Sequence, residues 1–174
     1  LVNATIRAQV QGYLIKQNYR DGDVVKKGQV LFEIDPRTFQ ATLDQAKGQL
    51  EAQQARWDTA KANLARIKPL AKLNAVSKKD LDDSMGTEQA ARAGVYAAQA
   101  TVDKAQLDLE FTRIISPIDG IAGLAKAQIG NLVGPGATEE LTTVSTVDPI
   151  KVYFQLSEQE YLQAAKRSAE SREK

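Results

Sequence analysis

Residues 36–112 contain two long stretches of helix-forming sequence separated by only a few residues. In each stretch, mostly apolar or small side chains recur at alternating steps of three and four positions, which is typical of a coiled-coil seam. Two helices of about 35 residues are each about 50 Å long, and so short a connection requires them to lie antiparallel. The predicted seams are Leu43, Ala46, Leu50, Gln53, Trp57, Ala60, Leu64, Ile67 and Ala71 in the first helix, and Leu81, Ser84, Glu88, Ala91, Val95, Ala98, Val102, Ala105 and Leu109 in the second.

The ends of the two predicted helices carry separate signals. Asp35 is expected to cap the first helix, with Pro36 at its first position, where a missing N–H is harmless. Pro69 is expected to kink or fray the last turn before the hairpin tip, which we place at about residues 70–78. Ser77 is predicted to cap the second helix, and Asp80 to complete an acidic version of the capping box.

Short β-forming runs punctuated by glycines precede and follow the helical region. On both sides three glycines are separated by ten and then six residues: Gly12, Gly22 and Gly28 before it, and Gly120, Gly130 and Gly136 after it. The matched spacing indicates two copies of one supersecondary unit, residues 8–35 and 113–147, with these glycines in the turns. A closed hairpin would bring the two units together into one small β-sandwich.

The two ends of the chain are expected to belong to a further domain. Asp148-Pro149 ends the second β-unit, residues 150–156 alternate like a strand, and residues 158–174 have a helical composition. Residues 1–7 are predicted to form another strand of that same domain. Because Leu1 is not a natural start, we expect a fragment of a longer protein whose membrane anchor lies outside it.

The composition excludes several classes of function. The 174 residues include no cysteine and no histidine, which excludes thiol chemistry, disulfides, Cys/His zinc sites and histidine acid–base catalysis in this segment. A net charge of +1 does not indicate a basic surface for nucleic acid. No apolar run approaches the roughly 20 residues that span a bilayer. Asp80, Asp82 and Asp83 are explained as carboxylates that complement a helix dipole. We therefore predict no enzyme activity, no catalytic residue, no cofactor and no metal site.

The β-units resemble the two halves of the biotinyl/lipoyl carrier domain. The run Gly22-Asp23-Val24-Val25-Lys26-Lys27-Gly28-Gln29-Val30-Leu31 is similar to its first half, and Ser116-Pro117-Ile118-Asp119-Gly120 to the entry of its second half. In a carrier the modified lysine lies on the tight turn between the halves, where this chain has the helical hairpin instead. Lys26 and Lys27 lie within the first half, so a carrier function is kept only as an alternative.

A lipoyl-like unit split by an α-hairpin resembles the periplasmic adaptors, or membrane fusion proteins, of bacterial tripartite efflux pumps. The resemblance extends from about residue 8 to 162 and is most similar to adaptors of RND pumps. It implies an α+β fold: a split lipoyl/biotinyl-like β-sandwich interrupted by a long antiparallel α-helical coiled-coil hairpin. Residues 1–7 and 148–174 would then be fragments of an incomplete β-barrel domain.

The same resemblance implies the function and the partners. It implies a periplasmic protein of a Gram-negative bacterium, tethered to the inner membrane by an anchor absent from this segment. It would link an inner-membrane efflux transporter to an outer-membrane channel, contribute to multidrug resistance, and self-associate into a ring or funnel. An adaptor of an ATP-driven exporter or of a type I secretion system is an alternative within this class.

The resemblance is most specific at the hairpin tip, where the family's spacing of Arg, Leu and Ser is present. The implied docking residues for the outer-membrane duct are Arg66, Leu70, Ser77, Lys78 and Leu81. A guanidinium suits carboxylates or carbonyl groups, a leucine can fill a groove between helices, and Ser77 can bond across the junction or cap its own helix. The alternative from a different class is a structural coiled-coil spacer whose tip has no partner.

Overall fold

The computed structural model describes residues 3–136 and 140–146 of the chain. It has the predicted α+β fold, with two long helices, α1 (Arg37–Lys72) and α2 (Lys78–Glu110), inserted into a β-sandwich. Within the described ranges the strands are β1 (Asn3–Ile6), β2 (Gly12–Gln17), β3 (Val24–Val25), β4 (Val30–Ile34), β5 (Arg113–Ile115), β6 (Gly120–Ala122), β7 (Leu132–Val133) and β8 (Thr142–Ser145).

The helices form the predicted antiparallel hairpin. α1 has 36 residues and α2 has 33, and every residue of the two predicted seams is buried or half-buried. Leu43, Ala46 and Ala105 form a buried cluster close to the base of the hairpin. The heptad interpretation is therefore confirmed, and small seam residues allow the two backbones to approach closely.

Two polar members of the seams, Gln53 and Glu88, have partners across the hairpin, whereas the buried hydroxyl of Ser84 has no hydrogen-bond partner. The Trp57 indole N–H donates a hydrogen bond of 2.6 Å to Glu88 Oε1, and Lys61 Nζ lies 5.3 Å from the Trp57 ring centroid. Gly94 lies against Gln53, because a Cβ on Gly94 would come within 3.1 Å of Gln53 Oε1. The Lys61 contact lies within α1, but the Trp57–Glu88 and Gln53–Gly94 contacts are satisfied in one register only and fix how the helices are shifted along each other.

The described strands form two sheets that enclose one core. Their orders are β1-β8-β6-β3 in one sheet and β5-β4-β2-β7 in the other. Tyr19 contacts Phe32 edge-on, with 5.4 Å between ring centroids. The rest of the fully buried core is mainly aliphatic and includes Leu14, Val25, Leu31, Ile34, Leu141 and Val144.

The glycine repeat corresponds to a pseudo-two-fold relation between the two β-units. β2 pairs with β7, where Gly12 faces Val133, and β3 pairs with β6, where Val25 faces Gly120. These pairs are equivalent, because adding 108 to residue 12 or 25 gives residue 120 or 133. Each unit thus supplies strands that complete the sheet of the other, and neither unit can close alone.

The turns obey the same relation. The Gly22 N–H donates to Ala122 O at 2.8 Å, and the Gly130 N–H donates to Leu14 O at 2.7 Å. Gly22 and Gly130 have φ values of +87° and +94°, and Gly28 has +83°. Glycine adopts these conformations without the steric cost that a Cβ brings, so these three positions require it.

The hairpin leaves the sandwich from two hydrogen-bonded neighbours, β4 and β5. The pairing reaches the helix ends, since the Ile34 N–H donates to Thr112 O at 2.8 Å. The Asp35 carboxylate accepts from the Arg37 N–H at 3.1 Å, and the guanidinium of Arg37 lowers the pKa of this carboxyl to about 2. The base of the hairpin is therefore held by the backbone on both sides.

The helix ends differ slightly from the prediction. α1 begins at Arg37, so the N-cap residue is Pro36, with φ −85° and ψ −7°, and not Asp35 as predicted. Pro69 does not end α1, which continues to Lys72. Pro69 has no N–H to donate to the carbonyl of Ala65, four residues before it. Ala65 is exposed, so water can donate to this carbonyl instead.

The first strand lies elsewhere than predicted. We expected residues 1–7 to belong to a separate barrel domain, but β1 pairs with β8 in the sandwich, with Ile6 opposite Thr142. The physical reason is that Ile6, Ala8 and Val10 alternate inward and are buried in the sandwich core. The predicted strand and helix within residues 148–174 lie outside the described residues.

Two of the repeat glycines have another role than predicted. Gly12 and Gly120 are the first residues of β2 and β6 and not turn residues. A Cβ on Gly12 would lie 2.5 Å from Ile34 Cγ2, and a Cβ on Gly120 would overlap the carbonyl oxygen of Ser145. Close approach of neighbouring strands therefore requires these two glycines.

Gly120→Ala is expected to destabilise the sandwich by about 1–3 kcal/mol, because the β8 backbone must shift to admit a methyl group. Gly136, in a turn with open space around it and no positive φ, is the matched control. Gly136→Ala should change the free energy of unfolding by less than about 0.5 kcal/mol. Urea unfolding of the three proteins measures this, and equal midpoints would contradict the proposed strand contact.

Candidate docking site at the hairpin tip

α1 ends in a Schellman motif. The Ala75 N–H donates to Leu70 O at 2.9 Å and the Asn74 N–H donates to Ala71 O at 3.1 Å. Asn74 has φ +52°, the left-handed conformation that this motif needs and that asparagine tolerates better than most residues. The connection between the helices is therefore a defined turn.

α2 begins with the predicted capping box, which the structure confirms. The Asp80 N–H donates to Ser77 Oγ at 3.1 Å, and the Ser77 N–H donates to Asp80 Oδ2 at 3.2 Å. The Ser77 hydroxyl also donates to Asp80 Oδ2 at 2.6 Å. Ser77 thus already has partners within the tip for both its hydroxyl and its N–H.

The residues predicted to dock occupy the last turns of α1 and the first turns of α2. Arg66 is exposed, and its Nε donates a long hydrogen bond of 3.4 Å to Ala62 O. Leu70, 42 % exposed, lies one helical turn further along the same face. Lys78 is exposed, whereas Leu81 is half-buried in the seam. Arg66, Leu70 and Lys78 are therefore available to a partner, and Leu81 supports the turn.

Leu73 is an exposed tip residue that the sequence interpretation missed. It follows the last residue of α1 and is 77 % exposed, more than any other large apolar side chain of the hairpin. Its N–H donates to both Pro69 O, at 3.3 Å, and Leu70 O, at 3.1 Å. A leucine placed beyond the last seam residue, directly before an asparagine, was the signal available in the sequence.

The tip has an excess of positive charge. The basic side chains of residues 66–79 are Arg66, Lys68, Lys72, Lys78 and Lys79, and the next residues of α2 add Asp80, Asp82 and Asp83, so residues 66–83 have a net charge of +2. The ion pairs of the described residues, such as Lys104–Asp108 and Lys126–Glu140, all lie outside this segment. The cations of the tip are therefore left facing solvent or a partner.

Residues 3–136 and 140–146 contain neither a carboxylate cluster for a metal ion nor a helix that could cross a bilayer. No group of three or more aspartate or glutamate side chains there is arranged to hold a metal ion. None of the helices in these ranges is both long enough and apolar enough to cross a bilayer.

The chain is similar to one described family and to several named proteins. The family described as RND MFP (membrane fusion protein), barrel-sandwich hybrid domain, matches residues 2–145. The chain is 36 % identical over 170 residues to multidrug resistance protein MdtA of Yersinia enterocolitica, covering 96 % of this chain and 38 % of that protein. It is 40 % identical over 154 residues to MdtA of Pantoea ananatis, covering 88 % of this chain and 38 % of that protein. The chain thus spans less than half the length of these relatives.

Solved structures show the same fold. A MacA–MexA chimeric protein that contains the α-hairpin domain of Pseudomonas aeruginosa MexA superposes with a TM-score of 0.58 and 31 % identity, covering 84 % of this chain and 48 % of the chimera. ZneB from Cupriavidus metallidurans superposes with a TM-score of 0.59 and 25 % identity, covering 83 % of this chain and 61 % of ZneB. The sandwich and hairpin described above are therefore shared with these proteins.

Ser77→Ala should loosen the tip without unfolding the chain, because it removes the acceptor for the Asp80 N–H, a change that costs about 1 kcal/mol. Ser77→Thr keeps a hydroxyl and should behave as the wild type. Amide hydrogen exchange of residues 80 and 81 measures this, and about fivefold faster exchange is expected in the alanine variant only. Equal exchange in all three proteins would contradict a capping role.

Proposed function

The chain belongs to the RND membrane fusion protein family, and we propose from this that it is part of the periplasmic adaptor of a tripartite multidrug efflux pump. The match over residues 2–145 carries the proposal. It is supported by relatives named multidrug resistance proteins and by a hairpin that ends in an exposed, basic and apolar tip. The adaptor would link an inner-membrane RND transporter to an outer-membrane channel.

We propose a separate task for each part of the chain. The lipoyl-like halves, residues 8–35 and 113–147, form the rigid base from which residues 36–112 project toward the channel. The 36 residues of α1 form a helix about 54 Å long, so the tip lies far from the base. Residues 148–174 begin the barrel domain, and several copies assemble side by side into a ring or funnel in the periplasm of a Gram-negative bacterium, tethered to the inner membrane.

The docking step is assigned to the tip. Arg66 offers a planar fork of donors that no carboxylate of the tip engages, so it can bind carboxylates or carbonyl groups of the channel. Leu70 lies one turn away on the same face and can enter a groove between channel helices. Lys78 adds positive charge on α2, while Ser77 and Leu81 hold the turn and the seam.

The role proposed is binding and not catalysis. A carrier function has little support, because α1 and α2 replace the turn that would present a modified lysine. Lys27 lies in the turn between β3 and β4, and its N–H donates to Asp119 Oδ1 at 2.8 Å. Adaptors of ATP-driven exporters and type I secretion systems are related, but the chain matches the family of RND membrane fusion proteins.

The test uses the full-length protein in its own bacterium, in a strain that lacks its other RND pumps. Deleting the gene should lower the minimum inhibitory concentrations of several unrelated drugs at least fourfold, and the wild-type gene should restore them. Arg66→Glu should fail to restore resistance, because it reverses the charge of the docking fork. Arg56→Glu, at another exposed arginine of α1, is the matched control and should restore it.

Immunoblotting must show equal amounts of both variants. Unchanged drug susceptibility after the deletion would overturn the efflux function. Full resistance with Arg66→Glu would instead overturn docking through the tip and favour a structural spacer.

A further inference from the structure

We propose that Leu73 is the apolar anchor of the tip and that its partner surface is an apolar pocket rimmed by carboxylates. This deepens, and rests on, the adaptor function proposed above, because it specifies the chemistry of the channel surface that receives the tip. Three features of the tip support this: Leu73 is exposed, a defined turn carries it, and cations without an ion-pair partner surround it.

Exposure alone does not distinguish Leu73, since single exposed leucines are common on protein surfaces. Its position does. Leu73 is 77 % exposed at the apex of the hairpin, and Leu70, three residues before it, is 42 % exposed. Other exposed apolar residues of the hairpin lie along its sides, and one of them, Tyr96, has Arg92 5.7 Å from its ring. Leu73 and Leu70 are the apolar pair that an end-on partner meets first.

The turn around Leu73 is held in place on both sides. The Schellman motif closes α1 around Leu73, with the left-handed Asn74 as the next residue. After it, the box formed by Ser77 and Asp80 starts α2. Little backbone freedom is therefore lost when a partner covers Leu73, which favours tight binding by a preorganised anchor.

The hydroxyl of Ser77 is already engaged by Asp80 at 2.6 Å. Ser77 is therefore a positioning residue, which orients the turn that presents Leu73. Polar recognition falls instead to the cations of the tip.

Those cations determine the chemistry of the partner. Residues 66–79 contain five basic side chains, and with the three aspartates that follow, residues 66–83 keep a net charge of +2. The carboxylate of Asp80 is engaged by Ser77. Bringing the basic side chains against a neutral or basic surface would remove water from unpaired charge, whereas a rim of carboxylates would complement it and attract the tip from a distance. An anionic membrane would offer similar charge, but the exposed apolar surface here is two leucines without an aromatic side chain, which suits a pocket better than a bilayer.

The test measures binding of the full-length protein to each outer-membrane channel protein of the source bacterium, purified in nanodiscs. Leu73→Asp should weaken binding at least tenfold. Leu124→Asp is the matched control, since Leu124 is 74 % exposed on the sandwich, and it should bind like the wild type. Both variants should keep the wild-type thermal midpoint, because each side chain is exposed.

Salt provides the second readout. The affinity of the wild type should fall as NaCl rises from about 50 to 300 mM, because exposed charges are increasingly screened. A Lys72→Gln, Lys78→Gln double variant should bind more weakly at low salt and show a shallower dependence. An affinity that does not respond to salt would overturn the carboxylate rim.

The remaining outcomes separate the two proposals. If the wild type binds none of the channels, duct docking itself is overturned. If it binds a channel and Leu73→Asp binds equally well, only the anchor role of Leu73 is overturned. Equal binding to nanodiscs that contain anionic lipid and no channel would show that the tip recognises a membrane and would overturn the protein pocket.

Discussion

The interlocking of the two β-units is the constraint on which the rest of this structure depends. β2 pairs with β7 and β3 pairs with β6, so each unit completes the sheets with strands from the other. The units are separated in sequence by the whole hairpin, and they meet because α1 and α2 run out and back together. Closing the sandwich and forming the hairpin therefore favour each other, and the β4–β5 pairing directs the hairpin away from the base.

Along the hairpin, polar contacts fix the register of the two helices, which a uniform apolar seam does not. Alanine-rich seams tolerate slippage, because one small side chain packs much like the next. The hydrogen bond from Trp57 to Glu88, together with the fit of Gln53 against Gly94, is satisfied in a single register. The short turn of the tip can connect the helices only when the end of α1 and the start of α2 lie at the same position along the hairpin. A fixed register ensures this.

Much of this fold could be predicted because the determining signals are local or periodic. The glycine spacing gave the equivalence of the two units, and the seams gave the helix faces. Ser77 and Asp80 gave the start of α2, because a capping box needs only residues three apart. The Trp57–Glu88 bond could not be predicted, since a seam shows which face is buried but not which residues of two helices stand opposite. The partner of β1 is likewise non-local, and the exposure of Leu73 depends on how the turn closes.

The chain combines a β-sandwich base, a hairpin held in one register and a preformed tip, for which we propose end-on binding to a channel. Photocrosslinking in the living bacterium tests it most directly, with a benzophenone amino acid placed at position 73 or position 124 of the full-length protein. Position 73 is expected to crosslink to an outer-membrane channel, and position 124, which is equally exposed on the sandwich, is not. Channel adducts from both positions alike, or from neither, would contradict binding through the tip.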